Sequence, residues 1–280
     1  MNDNQFRQLL ERLGLSWEGY RKVRKGVKKR IRRHMHQLGC QTVEAYLLVL
    51  GRDSGVRYHC ERLMTVSISR FFRDPGLWRT LADEILPMIF KENTMSMKVW
   101  SAGCACGEEA YSMKILCEMM ASRVKQMPDV EIWATDMNPD YLKRAQTGIY
   151  SASSLKELPQ ALRTRYFRPA QQQHAYRINE PLKKGLIWRV HNLLSDPPDS
   201  QFQLIFLRNS LLTYYRDALK LPALEKVVDS LAQGGFLVIG RHEKIPSKVP
   251  GLLPFGGYSL FAKALSNSSI ITDSTLEYGG

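Results

Sequence analysis

Short apolar runs alternate with helix-patterned segments from residue 98 onward, and this alternation constrains the fold most. Five runs have the length and the branched and aromatic content of buried strands. They occupy residues 98–103, 131–136, 186–194, 202–209 and 234–240. Because strands that alternate with helices form parallel sheets, we expect an α/β domain over residues 76–265. Residues 258–265 are expected to add a final antiparallel strand.

The first 75 residues differ and predict a small, basic, all-helical domain. Residues 21–34 hold nine Lys or Arg and no acidic residue. Apolar side chains from Leu13 to Leu38 recur at three- and four-residue steps, which predicts one amphipathic helix across this range. Further helices are expected at 43–50 and 56–64. Arg24, Lys28 and Arg32 are spaced four apart, so they share one face, which we interpret as a docking surface.

The net charge of +13 indicates an acidic partner, which is a nucleic acid, an anionic surface or an acidic protein. No aromatic residues interleave with the basic run to stack single-stranded bases, so we expect no nucleic acid partner. No apolar run is long enough to span a bilayer, and no signal peptide is evident, so we expect a cytoplasmic monomer without membrane insertion. Five cysteines lack metal-ligand spacing, so we expect reduced thiols and no metal site. The polar tail, residues 266–280, is expected to be flexible.

The ends of the first two strands carry the binding chemistry. Gly103 and Gly107 allow a tight turn, and Glu108 and Glu109 then open a helix. This acidic start repels pyrophosphate and suits a ligand with a cationic amino-acid group, although the carboxylates would equally complement the helix dipole. Asp136 ends the second strand, where an acidic residue accepts hydrogen bonds from a ribose diol or caps the next helix. The missing dinucleotide fingerprint favours S-adenosylmethionine over a nicotinamide cofactor.

Six segments resemble those of the chemotaxis-receptor glutamate methyltransferases, the CheR-type family, in order and in spacing. They are TVSISRFFRDPGLW (65–78), VWSAGCACGEEAYSM (99–113), ATDMNPDYLKRAQTGIY (134–150), NLL (192–194), FLRNSLLTYY (206–215) and GGFLVIGRHE (234–243). The resemblance implies a class I, Rossmann-like methyltransferase sheet behind a small helical domain. It also implies S-adenosylmethionine as cofactor, S-adenosylhomocysteine as product, and a small β-subdomain near residues 170–190, where Tyr176 to Arg189 fits.

The resemblance also assigns roles around the cofactor. Ser67, Ser69 and Arg73 would cover it from the segment that joins the two domains. The turn at Gly103 would lie beside the cofactor. Glu109 would hold the amino-acid end of the cofactor, and Asp136 would hold its ribose. The adenine would be contacted by Asn192 and Leu193. The pocket beneath the sulfonium would be closed by Arg208 and Asn209.

Two catalytic residues are expected. A guanidinium fork suits a carboxylate, so Arg73 would steer the methyl acceptor, although a cap or an interdomain ion pair is the structural alternative. One extra residue after Asn209 leaves either Tyr214 or Tyr215 at the active-site aromatic position of the family. The chain departs from the family at Ser67, where Asn is usual, at Ile68, where an acidic or small polar residue is usual, and at Ser69, where Thr is usual.

The sequence thus predicts methyl transfer to glutamate side chains on acidic helices of chemoreceptors. A glutamate has an unperturbed pKa of about 4.3, so it is already a nucleophile at neutral pH and needs no general base. Two alternatives stay open. One is a nucleic-acid methyltransferase that uses the basic helix on phosphates. The other is a catalytically weakened homologue that binds cofactor and receptor, because of Ser67 and Ile68.

Overall fold

The computed structural model describes residues 1–92, 95–124, 126–246, 249–257 and 259–264. The helices are α1 Asp3–Arg12, α2 Trp17–Tyr20, α3 Arg24–Gln37, α4 Val43–Arg52, α5 Ser54–Met64, α6 Pro75–Thr80, α7 Leu86–Glu92, α8 Glu108–Met120, α9 Pro139–Thr147, α10 Gln160–Tyr166, α11 Leu211–Tyr214 and α12 Asp217–Asp229. A π-helical turn, Leu81–Ile85, joins α6 to α7, and a 3₁₀ turn covers Glu180–Lys183. The strands are β1 Ser96–Ala102, β2 Asp129–Asp136, β3 Ile149–Ser151, β4 Phe167–Pro169, β5 Ala175–Ile178, β6 Leu186–Val190, β7 Phe202–Leu207, β8 Leu231–Ile239, β9 Leu252–Pro254 and β10 Leu260–Lys263.

Seven strands form one sheet in the order β6-β2-β1-β7-β8-β10-β9. The first five strands run parallel to one another, and β10 runs antiparallel to both β8 and β9. This confirms the α/β fold class and the reversed strand near residue 260. The sequence did not predict β9, because its three residues end in a proline and carry no alternating pattern. The polar tail predicted from residue 266 lies outside the described residues.

The sheet is buried on both faces, as the nearly continuous apolar runs of its strands require. On one face, α6 to α8 pack over Val99 and Phe206. On the other face, α12 packs over Trp100 and Leu237. The indole of the fully buried Trp100 donates a hydrogen bond to the Thr135 hydroxyl, 2.9 Å away, so two central strands are joined by side chains as well as by backbone.

A second sheet, ordered β3-β5-β4, lies over residues 149–178. The small β-subdomain expected near 170–190 is therefore misplaced, since Tyr176 belongs to β5 while residues 186–190 form an edge strand of the large sheet. The reason is the apolar character of this edge strand, which pairs in parallel with β2 and sets Ile187 opposite Trp133. A sequence pattern shows that a strand is present, but not which sheet it joins.

Helices α1 to α5 enclose a hydrophobic cluster of their own, with Phe6, Ile31 and Tyr46 fully buried. The single helix predicted from Leu13 to Leu38 is wrong, because the chain turns after α1, forms the short α2 and begins α3 only at Arg24. Its apolar residues belong to three elements that meet in one cluster. The domain boundary at residue 75 stays a prediction.

Candidate functional site

A cavity of about 210 Å³ opens beyond the carboxyl ends of β1, β2 and β6, where the helical region meets the large sheet. Gly103, Asp136, Asn192 and Leu193 line it from the sheet side. Ligands of open α/β sheets bind at this edge, beyond the carboxyl ends of the strands. With Asn209, which also lines it, the cavity brings together five of the residues that the sequence predicted for cofactor binding.

The turn after β1 depends on glycine for its shape. Gly103 has φ of +84° and Gly107 has φ of +87°, in the left-handed region that other residues rarely adopt. An added Cβ at Gly103 would lie 2.9 Å from the Ser210 Cβ, and one at Gly107 would lie 2.8 Å from the Trp188 ring. The two glycines thus allow the backbone to pass closely between neighbouring elements at the floor of the cavity.

Asp136 is a buried carboxylate that faces the cavity with neutral partners. Its Oδ2 accepts a hydrogen bond from the Ala105 N–H at 3.0 Å, and its Oδ1 accepts one from the Asn138 N–H at 2.8 Å. Burial raises the pKa of Asp136 to about 6, although these two backbone hydrogen bonds oppose the rise. The N-cap of α9 is Asn138, whose side chain accepts from the Asp140 N–H, so Asp136 does not cap that helix.

The loop after β6 adds a histidine that sequence reasoning missed. His191 lines the cavity, and its Nε2 lies 2.9 Å from the Asp196 carbonyl oxygen. Its Nδ1 is buried and has no hydrogen-bond partner among the described residues. Burial lowers the pKa of His191, so the ring is neutral at pH 7. The sequence signal that could have indicated His191 is its position immediately before Asn192. The Asn192 Oδ1 holds the loop by accepting a hydrogen bond from the Leu194 N–H.

Arg208 and Glu109 pair with each other rather than with the cavity. Arg208, whose side chain is only 4% exposed, lies 3.2 Å from a Glu109 carboxylate oxygen and also forms an ion pair with Asp74. The other Glu109 oxygen accepts a hydrogen bond from the Ser101 hydroxyl at 2.7 Å. Neither Arg208 nor Glu109 is among the described residues that line the cavity. Their expected cofactor contacts stay predictions, and the structure shows them as a charge network behind the cavity floor.

The segment between the helical region and α6 carries the remaining predicted residues. Ser67, Ser69 and Arg73 are partly exposed, and none of them lines the cavity in the described part of the chain. The Arg73 guanidinium lies 3.4 Å from the Ile68 carbonyl oxygen and, among the described residues, forms no salt bridge. The alternative in which Arg73 forms an interdomain ion pair is therefore not observed.

Tyr214 and Tyr215 both line the cavity but have different neighbours. Burial and the Glu243 carboxylate raise the pKa of Tyr214, while the Arg73 guanidinium opposes that rise. Burial raises the pKa of Tyr215 to about 12, with smaller contributions from the Glu61 and Asp136 carboxylates. The Arg73 charge thus acts on the Tyr214 hydroxyl, whereas two carboxylate charges act on the Tyr215 hydroxyl.

Asn209 and Glu243 shape the loop that carries these tyrosines. Asn209 has φ of +52°, and its backbone N–H donates to a Glu243 carboxylate oxygen at 2.8 Å. Glu243 also accepts from the Gly240 N–H and from the Thr213 hydroxyl. A single carboxylate thus fixes the loop at two points and ties it to the backbone after β8. Asn209 lines the cavity, its expected contact beneath the sulfonium stays a prediction, and the sequence pattern assigned no role to Glu243.

The three cations predicted to form a docking face on α3 contact the first residues of the chain. Arg24 and Lys28 both form ion pairs with Asp3 of α1. The Arg32 guanidinium donates to the Met1 carbonyl oxygen at 2.6 Å. Arg24 and Lys28 are thus partly covered by α1, whereas Arg32 stays exposed, and the docking role of the three cations stays a prediction. We identify a different set, Lys25, Lys29 and Arg33, as the outward ridge, since all three side chains are exposed and four residues apart.

Two further observations bear on the classes of site that the chain contains. Within the described residues, no group of three or more His, Cys, Asp or Glu side chains is placed to hold a metal ion. The helices of the same residues are all too short or too polar to cross a membrane.

The parallel sheet with its reversed strand, the glycine turn and the aspartate at the end of β2 define a class I methyltransferase that uses S-adenosylmethionine. Residues 67–255, more than half of the chain, match the family described as CheR methyltransferase, SAM binding domain. The chain belongs to the CheR methyltransferase family.

Relatives of this chain include two named chemotaxis protein methyltransferase. That of Listeria monocytogenes is 32% identical over 83% of this chain and 86% of its own length, and that of Listeria innocua is 36% identical over 65% and 67%. An uncharacterized 104.1 kDa protein of Rhodobacter capsulatus is 30% identical over 78% of this chain, which spans only 23% of that protein. Among solved structures, the N-methyltransferase NodS from Bradyrhizobium japonicum is 16% identical over 69% of this chain and 99% of its own, with a TM-score of 0.35.

The cavity fits the nucleoside part of S-adenosylmethionine. Asp136 keeps acceptor capacity for a ribose hydroxyl, because each of its oxygens accepts only one backbone N–H. The unpartnered Nδ1 of His191 is buried beside the Asn192 loop, where a ligand would supply a missing partner. The glycine at position 103 keeps side-chain bulk out of the same edge of the cavity.

Proposed function

We propose that this methyltransferase esterifies glutamate side chains on acidic helices of chemoreceptors. The observation that carries the proposal is Arg73, a guanidinium without a salt-bridge partner among the described residues, close enough to Tyr214 to affect its pKa beside the cofactor cavity. A guanidinium that no carboxylate of the described residues neutralises, beside a methyl-donor site, suits a carboxylate acceptor better than a neutral one. The relatives named chemotaxis protein methyltransferase support the same acceptor class.

In this proposal, the cofactor is held mainly from the sheet side. Asp136 accepts hydrogen bonds from the ribose, and Asn192 and Leu193 flank the adenine. The turn at Gly103 allows the backbone to approach the ligand. The serines at positions 67 and 69 cover it from the joining segment, where each hydroxyl can donate or accept one hydrogen bond.

When bound, S-adenosylmethionine supplies an electrophilic methyl group on a sulfonium. The chain's own residues have to position the acceptor and exclude water, and such orientation can contribute roughly 7–11 kcal/mol. Arg73 binds the acceptor carboxylate and orients it. Tyr214 stays protonated at neutral pH, because its pKa is raised, and so it can donate a hydrogen bond to the acceptor. No proton has to be removed, because the acceptor is already ionised.

The charge network supports this site from behind. Arg208 binds Glu109 and Asp74 and also donates to the Arg73 carbonyl oxygen at 3.3 Å. It therefore fixes the backbone of the residue that steers the acceptor. We infer that Arg208 and Glu109 hold the joining segment against the methyltransferase sheet.

Docking is assigned to the outward ridge of α3. Lys25, Lys29 and Arg33 are exposed and lie on a helix whose residues 24–37 include no acid. An acidic receptor helix would be attracted by this ridge, which raises the rate of encounter. High salt should weaken the attraction, because the Debye length falls to about 3 Å at 1 M.

The acceptor chemistry is tested by transfer of tritiated methyl from S-adenosylmethionine to a chemoreceptor cytoplasmic fragment. Counts that are released by mild base identify carboxyl methyl esters. Arg73→Ala should lower kcat by about 100-fold and leave affinity for S-adenosylhomocysteine within about twofold, because the guanidinium acts on the acceptor. Arg73→Lys should recover only part of the rate, since an ammonium lacks the fork. Base-stable counts, or a variant that loses only cofactor affinity, would contradict the proposal.

The docking ridge is tested by charge reversal. Glu at Lys25, Lys29 and Arg33 should lower kcat/KM for the receptor fragment by about tenfold at low salt without changing affinity for S-adenosylhomocysteine. Reversal at three exposed cations elsewhere, Arg52, Arg79 and Lys91, is the matched control. Duplex or single-stranded nucleic acid should compete poorly, and nuclease-sensitive methyl counts would instead favour a nucleic-acid substrate. Cofactor binding without transfer to any receptor would favour a weakened homologue.

A further inference from the structure

One wall of the cofactor cavity comes from α5 of the helical region rather than from the sheet. Arg57 and Glu61, one helical turn apart, both line it. We propose that Glu61 is a cofactor-binding residue whose carboxylate accepts a hydrogen bond from a hydroxyl or amino group at the nucleoside end of S-adenosylmethionine. This inference rests on the placement of the nucleoside beside Asp136 and Asn192 in the proposed function.

The Glu61 carboxylate is oriented and still has acceptor capacity. Its Oε1 accepts a hydrogen bond from the Arg57 Nε at 3.0 Å, and within the described residues its Oε2 accepts none. The Glu61 side chain is 28% exposed, whereas that of Arg57 is 49% exposed. Arg57, the more exposed of the two, therefore occupies one carboxylate oxygen, and the other keeps its acceptor capacity in the cavity that both residues line.

Glu61 shares the cavity with Asp136. Both carboxylates line it, and both act electrostatically on the hydroxyl of Tyr215, which lines it as well. A ligand that fills the space between α5 and the end of β2 therefore meets two acceptors that carry negative charge. Such a pair selects a ligand rich in hydrogen-bond donors, which describes a ribose diol and an exocyclic amine.

The position of Glu61 points to the nucleoside end rather than the amino-acid end. The cavity-lining residues that follow β2 and β6 belong to the part assigned to ribose and adenine, and they are Met137, His191, Asn192, Leu193 and Leu194. A contact there would tie the helical region to the bound cofactor. The helical region would then take part in cofactor affinity as well as in docking.

Titration calorimetry on the full chain tests the assignment with two ligands. S-adenosylhomocysteine contains both ends, and 5′-methylthioadenosine lacks the amino-acid end. Glu61→Ala should weaken both ligands by about tenfold, as expected for a lost hydrogen bond to a partly exposed charged acceptor. Glu61→Gln, which keeps an acceptor oxygen, should weaken them by only about threefold. Glu44→Ala, an exposed glutamate of α4 away from the cavity, is the matched control and should change neither.

Each other outcome overturns the inference in a different way. Unchanged affinity in Glu61→Ala would leave Glu61 only as half of an ion pair along α5, with no role in cofactor binding. An equal loss in Arg57→Ala would show that the pair, not the carboxylate, matters. A loss for S-adenosylhomocysteine alone would move the contact to the amino-acid end. If the wild type bound neither ligand, the placement of the cofactor itself would fail, which distinguishes that failure from failure of Glu61.

Discussion

Two carboxylates at the same edge of the sheet, Asp136 and Glu109, have opposite surroundings. Asp136 accepts hydrogen bonds from backbone N–H groups alone and faces the cavity. Glu109 is bound by the Arg208 guanidinium and the Ser101 hydroxyl behind the cavity floor. A carboxylate held by neutral donors keeps its charge for a ligand. One held by a cation is neutralised within the fold, so it stabilises structure more than it attracts a ligand.

Loss of Arg208 should have the largest effect, because it leaves Asp74 and Glu109 without their cation. Arg208→Ala is expected to lower the free energy of unfolding by about 3–5 kcal/mol, the range for breaking a buried ion pair from one side. A fall in melting temperature of roughly 10 °C should follow for a chain of this size. Differential scanning calorimetry without ligand measures both.

A surface pair provides the control for Arg208. Arg21 lies 3.6 Å from Glu18, and both side chains are mostly exposed. Arg21→Ala should change the free energy of unfolding by less than about 1 kcal/mol, as exposed pairs do. Equal effects in the two variants would show that the network behind the cavity floor is no more than a surface contact, and the comparison with Asp136 would fail.

In contrast to Arg208→Ala, which should mainly lower stability, Asp136→Ala should mainly lower ligand affinity. Loss of hydrogen bonds to a charged acceptor should weaken S-adenosylhomocysteine by about 1.5–3 kcal/mol in calorimetry. Asp129→Ala, at the exposed start of the same strand, is the matched control and should bind normally. If affinity in Asp136→Ala were unchanged, Asp136 would have no ribose role.

The raised pKa of Asp136 adds a dependence on pH. Its pKa is about 6, so the carboxylate is mostly ionised at pH 7 and mostly protonated at pH 5. Because the protonated form accepts hydrogen bonds less well, affinity for S-adenosylhomocysteine should fall by about tenfold from pH 7 to pH 5. The Asp136 carboxyl should also stabilise the folded state as pH falls through 6, because its pKa in the folded protein lies above the ordinary pKa that it has in the unfolded chain.

A fall in pH should therefore lower ligand affinity but raise the stability of the folded state, so the two effects can be told apart. Calorimetric affinity and melting temperature should be measured on the same samples between pH 5 and pH 8. Asp136→Asn should bind weakly at every pH and show a flatter profile. A wild-type affinity that stays constant down to pH 5 would mean that ionised Asp136 does not hold the ligand.

The features that were predictable from the sequence are local in the chain. The apolar runs fixed β1, β2, β7 and β8, and with them the positions of Gly103 and Asp136 at the carboxyl edge. Periodicity alone carries that information, because each run is short, buried and bounded by turn residues. The partners of charged groups are different, since they depend on how distant segments pack.

The charged groups show why the rest was not predictable. Arg208 and Glu109 are 99 residues apart, and Lys28 is 25 residues from Asp3, so no local pattern pairs them. The basic run predicted a cationic face correctly in kind, but only packing shows that Arg24 and Lys28 face α1. The proposed role of Glu61 was not predictable for a different reason, because its i, i+4 pairing with Arg57 resembles an ordinary exposed helix pair and only the fold places it at the cavity.

The smallest expected effect comes from Ser101, which tests the structural role of Glu109 without removing a charge. Ser101 is buried, and its hydroxyl donates to Glu109 at 2.7 Å. Ser101→Ala should lower the free energy of unfolding by about 1 kcal/mol, the usual contribution of one such hydrogen bond. Affinity for S-adenosylhomocysteine should stay within about twofold, because Glu109 keeps its Arg208 partner. Ser230→Ala is the matched control, since that buried hydroxyl bonds the Lys226 carbonyl, which also accepts the Ser230 backbone N–H. A Ser101→Ala variant that kept its stability but lost cofactor affinity would place Glu109 with Asp136 as a ligand-binding carboxylate, and the distinction between the two would be lost.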